Sequence, residues 1–205
     1  MIDPVLLLAF LPAALALNLT PGADMMFCLA QGARGGAGPA IAASGGIAAG
    51  CMVHVTAAGL GLGALVAHAP GAFDAIRWLG AGYLVWLAWR TLSTPLGAGR
   101  PAVHPARAFR EGLVVNLTNP KVILFILAFV PQFVNPAAPV LAQFLILGGV
   151  ISAGGFLING AVGVFSGGLG RAMARNAGIE RGLRYLSATI FGALALRLVW
   201  EGTRT

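Results

Sequence analysis

The sequence predicts an all-α integral membrane protein, with six transmembrane helices arranged as two inverted three-helix repeats. Helices one and four are expected to break at Pro21 and Pro120. Three observations predict this fold. The 205 residues are 58% hydrophobic and 9% charged, against about 25% charged in soluble domains, and mean hydropathy is +0.87. Six segments reach the ~20 apolar residues that a helix needs to cross a bilayer. A polar interruption, Asn18-Leu19-Thr20-Pro21-Gly22-Ala23-Asp24, returns in near copy as Asn116-Leu117-Thr118-Asn119-Pro120-Lys121.

Each element has its own justification. The first segment runs from about Pro4 to Gln31, too long for one straight crossing, which suits a break at Thr20-Pro21. Its first charge is Asp3, where a signal peptide needs a basic start, so it reads as a span. Arg34 to Pro39 makes a turn, the second segment covers about Ala40 to Val66, and Pro70-Gly71 ends the next connection. The third covers about Phe73 to Leu92. After a proline-bearing stretch come the fourth, about Phe109 to Phe133, and the fifth, about Val140 to Leu169. A basic loop from Arg171 to Arg184 precedes the sixth, which ends near Trp200. The organisation is therefore residues 1–92 as the first repeat, 93–108 as a cytoplasmic linker and 109–205 as the second repeat.

Three spans per half is an odd number, so the second half inserts upside down relative to the first. Arg34, Arg90, Arg100, Arg107, Arg110, Arg171, Arg175, Arg181 and Arg184 collect in the loops on one side. The positive-inside rule then puts both termini outside. The net charge of +7 resides mainly in these loops, which points to lipid headgroups rather than nucleic acid. A second copy of the chain remains an open option as partner.

Proline removes a helix hydrogen bond and restricts the residue before it, so each repeat of the motif interrupts a helix. Thr20 or Asn119 can cap a new helix whose first residue is the proline. Such a helix start has unpaired N–H groups and a positive dipole end, which suits anions. Simple kinks satisfied by neighbouring helices are the plainer reading. The repeated Asn-Leu-Thr, with Asp24 after one proline and Lys121 after the other, favours function.

Small residues form a ladder at Ala42, Gly46, Gly50, His54 and Ala58, and another at Gly155, Asn159, Gly163 and Gly167. Such ladders mark faces that pack on other helices. His54 and Asn159 therefore face protein, as interhelical hydrogen bonds or as substrate contacts. A lone charge at mid-membrane costs ~2.5–3.5 kcal/mol even on the lenient insertion scale. Asp24 and Lys121 are thus either a buried pair or the two poles of a wet cavity. A zwitterionic amino acid fits the second case, its ammonium on Asp24 and its carboxylate on Lys121 and the helix starts. The candidate substrate-binding residues are Asn18, Thr20, Pro21, Gly22, Asp24, His54, Asn116, Asn119, Pro120, Lys121 and Asn159. Asp24 is also the proton-coupling candidate.

At these residues the sequence resembles the lysine exporter (LysE) superfamily, on its homoserine/threonine exporter (RhtB-type) side. The resemblance rests on Thr20-Pro21-Gly22-Ala23-Asp24, on Gly46-x-x-x-Gly50 with His54, and on Gly80-Ala81-Gly82-Tyr83-Leu84. It continues through Asn116-Leu117-x-Asn119-Pro120-Lys121 and Phe129-x-Pro131-Gln132-Phe133, and weakens after Val140. It implies a place in the bacterial inner membrane and export of amino acids or related compounds from the cytoplasm, driven by the proton gradient. The family usually has Pro-Gly-Pro where Ala23 stands here, in the substrate-facing turn.

Two rivals come from other residues. Met25, Met26, Cys28, Cys51 and His54 are soft ligands that would suit a metal exporter. Cys28 and Cys51 would also serve a thiol redox carrier, although the second half has no cysteine to complete a symmetric one. No phosphate loop, H-E-x-x-H or nucleophile with a base is present, so no enzyme and no cofactor is expected.

Overall fold

A computed structural model of the chain describes residues 4–68 and 104–166, with isolated helical positions between 78 and 89 and between 178 and 200. The third span, the linker as far as residue 103, the basic loop and most of the sixth span lie outside the described residues. So does the Gly80-to-Leu84 motif, except for Gly82.

Among the described residues all regular structure is helical. Helix α1 covers Pro4–Leu19, α2 Ala23–Gly35, α3 Ala37–His68, α4 Pro105–Leu117 and α5 Pro120–Ala128. A 3₁₀ turn at Val130–Phe133 follows, then α6 at Val140–Val164. Apolar stretches of 25 residues, Ala37–Gly61 and Val140–Val164, are each long enough to cross a membrane alone. At 1.5 Å per residue each spans about 37 Å, against a hydrocarbon core of ~30 Å. The pair α1 and α2 bends by 54° at its break, and α4 with the segment from Lys121 to Phe133 bends by 53°.

Two helix starts differ from the hydropathy reading, both for the same reason. Helix α3 starts at Ala37 and α4 at Pro105, because proline in a first turn sacrifices only an N–H that has no helical partner anyway. The polar opening of α4, with Arg107 Nε donating to Glu111 at 2.8 Å, carries no apolar signal. Residues 105–108 are therefore helix.

Helix α3 sits at the centre. It runs antiparallel to α6, with Ser44 near Phe156 and Val55 near Gly148. It runs parallel to α4, whose Pro105, Phe109 and Asn116 meet Gly38, Gly45 and Gly50 in turn. A Cβ on Gly46 would collide with the carbonyl of Phe109, and one on Gly163 would press on Ala40. Close approach explains these ladder glycines. The α3–α6 contact is reciprocal. Ser44 Oγ donates to Phe156 O at 2.8 Å, and Ser152 Oγ donates to Ala48 O at 2.9 Å. Each serine reaches the carbonyl one turn beyond the other serine, as an approximate two-fold axis between the helices would produce.

Phe10 of α1, Phe125 of α5, and Phe129 and Phe133 form a buried aromatic stack with centroid separations of 4.9–6.4 Å. The spacing of Phe125, Phe129 and Phe133 places them on one helical face. This stack fixes α1 against the segment after α5. Outward faces are apolar, including Val5, Leu8, Leu60 and Leu157, each more than 60% exposed. Water-soluble proteins rarely expose contiguous apolar surface of this kind, and lipid accepts it.

Candidate functional site

The two helix breaks meet inside the bundle, but they are built differently. At the second, Asn119 is the N-cap and Pro120 the first residue of α5, and the Lys121 N–H donates to Asn119 Oδ1 at 3.0 Å. At the first, α2 begins at Ala23 with Gly22 in the cap position and no side-chain cap. Thr20 therefore does not cap the new helix. Its hydroxyl turns back and donates to Ala16 O at 2.5 Å, sharing that carbonyl with the Thr20 N–H at 2.9 Å. Pro21 lies between the helices rather than at the start of one.

The donor missing from the first break arrives from the second. Lys121 Nζ donates to Leu17 O at 3.1 Å and to Thr20 O at 2.9 Å. These carbonyls end α1, where the helix dipole is negative and a cation is favoured. Gly22 leaves room for this: a Cβ there would stand 3.2 Å from Lys121 Nζ. Gly22 itself is extended, at φ −161° and ψ −171°, so the demand is for space and not for an unusual backbone.

Asp24 is served from the opposite half too. Asn116 Nδ2 donates to Asp24 Oδ2 at 2.9 Å. No direct ion pair links Asp24 to Lys121 among the described residues. The plain buried salt bridge is thus not what the structure holds. Each charge is instead satisfied by neutral groups of the other half, and Asp24 Oδ1 has no partner.

A cavity of about 20 Å³ lies between the breaks. Of the eleven candidate residues, Asn18, Thr20, Asp24, Asn116, Lys121 and Asn159 line it. Asn18 is held by α6, its Nδ2 donating to Ile151 O at 3.0 Å. His54 stands one layer behind, with Nε2 3.3 Å from Asn116 O. That bond forms in the tautomer carrying its proton on Nε2. Asn119 acts as a cap, Gly22 as a spacer under Lys121, and Pro21 and Pro120 as backbone features of the breaks. The sequence reading missed Ile47 and Ser152 as lining residues. Ser152 had a signal, since it shares helical spacing with Gly155 and Asn159 on one face of α6.

Four buried polar atoms here lack a partner: Asp24 Oδ1, Asn116 Oδ1, Asn159 Oδ1 and Asn119 Nδ2. Buried polar groups normally find one, so this concentration sets the region apart from the apolar core around it. Cys28 and Cys51 are buried free thiols. Among the described residues no three His, Cys, Asp or Glu side chains converge as metal ligands would.

The family described as LysE type translocator matches residues 15–202. A homoserine/homoserine lactone efflux protein of Salmonella typhimurium is 37% identical over 150 residues, covering 68% of this chain and 70% of its own. A leucine efflux protein of Klebsiella pneumoniae is 34% identical over 146 residues, covering 68% and 69%. An uncharacterized membrane protein of Vibrio cholerae is 38% identical over 146 residues, covering 69% and 71%. No solved structure matches the chain at a significant level. With apolar helices long enough to cross a bilayer, paired helix breaks enclosing buried charge, and a family match across nearly its whole length, this chain belongs to the LysE family of membrane translocators.

Proposed function

We propose that this protein exports amino acids or closely related small metabolites from the bacterial cytoplasm across the inner membrane, coupled to proton influx. The observation that carries the reading is the cavity between the breaks, where Asp24 keeps an unpartnered oxygen and Lys121 bridges to α1. Relatives that export homoserine, homoserine lactone and leucine support the substrate class. Homoserine and its lactone differ at the carboxyl end and share the amino end.

In this reading each bent pair is one span broken at Pro21 or Pro120, and the chain crosses six times as two inverted repeats. The reciprocal serine bonds between α3 and α6 support such a relation between the halves. Asn18, Thr20, Asp24, Asn116, Lys121 and Asn159 form the substrate cavity, with His54, Asn119, Gly22 and the two prolines shaping it. Asp24 exchanges the coupling proton, because its carboxylate is the acid group of the cavity and one of its oxygens is unoccupied. Both termini lie outside.

Export from loaded cells into medium, screened across amino acids, tests the function. An export signal that disappears with a protonophore supports coupling, and one that persists removes it. Single cysteines at Ala102 and Ala177 should resist an impermeant thiol reagent in intact cells. Their ready labelling, with protection at Ala137, would reverse the orientation.

A further inference from the structure

The hydrogen-bonding inventory of the cavity is weighted towards acceptors. Asp24 Oδ1, Asn116 Oδ1 and Asn159 Oδ1 are all acceptors without a partner, in lining residues at most 6% exposed. The Asn116 amide is not free to turn, because its Nδ2 already donates to Asp24 Oδ2. Its oxygen is therefore the end left over. Most lining donors, by contrast, are engaged, the Asn159 amide being the exception. Lys121 Nζ uses two of its three N–H groups on Leu17 O and Thr20 O. Asn18 Nδ2 is taken by Ile151 O, Ser152 Oγ by Ala48 O and Thr20 Oγ1 by Ala16 O.

Acceptors buried without donors are costly unless a ligand completes them. A carboxylate needs the opposite: donors, commonly in pairs. One remaining N–H on Lys121 and the amide of Asn159, beside the charge of Asp24, are a poor offer to it. A primary ammonium brings three N–H groups and a positive charge. The cavity of about 20 Å³ also suits a group of its size, since one water-sized centre needs ~10–15 Å³.

We propose that the cavity is an ammonium subsite, and that the substrates are small primary amines whose carboxyl group is free, amidated or closed as a lactone. This rests on the export reading above and narrows it. Recognition runs through the amino end, held by Asp24, Asn116 and Asn159, while the carboxyl end extends beyond the cavity. Lys121 is a positioning residue that holds the end of α1, not a ligand for the carboxylate.

The test is competition for binding on the purified full-length chain in nanodiscs. The labelled ligand is homoserine or leucine, whichever the export screen selects. Competitors are the free amino acid, its amide and its N-acetyl derivative. The amide should compete within about threefold of the free acid. The N-acetyl compound, having lost the charge and two N–H groups, should be weaker on the order of 100-fold. Asn159→Leu should weaken free acid and amide alike. Lys121→Gln should also affect the two alike; a loss confined to the free acid would make Lys121 a carboxylate ligand and overturn the proposal. The wild-type series needs no variant to fold. An amide more than about 30-fold weaker than the free acid sinks the ammonium subsite alone. Failure of every free amino acid to bind sinks the export reading and this inference together.

Discussion

The two Asn-Leu-Thr segments start from the same residues and end their helices by different means. The second break is self-contained: Asn119 caps the start of α5 and Pro120 opens it. The first has no side-chain cap, its threonine bonds within α1, and its free carbonyls are served by Lys121 from the other half. The paired asparagines diverge in the same way. Asn18 is tied to the backbone of α6, whereas Asn116 reaches across to the Asp24 carboxylate. A duplicated motif thus yields one break that shapes itself and one that exists through contacts with its counterpart. Polarity follows: the first half contributes the acid, and the second supplies the groups that hold it and the end of α1. The cavity lies where these borrowed contacts meet, so a change in the relation of the halves must alter it.

The comparison breaks most readily at Lys121. Lys121→Met leaves two buried carbonyls without a donor and should destabilise the protein by about 3 kcal/mol, at ~1–3 kcal/mol per orphaned group. Thermal unfolding in micelles measures it. A cost no larger than that of losing the Asn119 cap would mean that the first break stands alone. Next is Asp24→Asn, which keeps size and removes charge and the exchangeable proton. Export should fall on the order of 100-fold at normal membrane abundance, the scale of losing one charged hydrogen bond. The double variant Asp24→Asn/Lys121→Met should be equally inactive; recovered transport would reduce the two residues to a structural pair.

Smaller effects sharpen the contrast. Asn119→Ala should cost about 1 kcal/mol as a lost N-cap, with Asn119→Ser recovering most of it. Thr20→Val, at the matching place in the first break, should cost about 0.5 kcal/mol, the low end for one hydrogen bond, because no cap is lost and Ala16 O keeps the Thr20 N–H. Equal costs for the two would return both breaks to one design. Smallest are Ser44→Ala and Ser152→Ala, each about 0.6 kcal/mol as single interhelical hydrogen bonds in a membrane protein. The two serines should match each other in unfolding assays. A marked inequality would argue against the two-fold relation between α3 and α6.

Membrane residence and the helical class were legible in the residues, because each follows from local chemistry. Apolar composition decides the solvent, and in lipid the backbone groups must be satisfied within each segment, which favours helix. The glycine ladders were legible too, as close helix approach leaves no room for a Cβ at Gly46 or Gly163. The polar first turn of α4 was not, since hydropathy registers lipid contact and Arg107 and Glu111 make none. Asn18, Asp24, Asn116 and Asn159 could be picked out as candidates, but not their partners. Whether Lys121 would face a carboxylate, pair with Asp24 or close the end of α1 was decided only when the helices packed. Its ammonium bonds residues about a hundred positions away, and a long side chain has several buried destinations of similar chemistry. The geometry of two meeting breaks selects among them, and that geometry belongs to the assembled bundle.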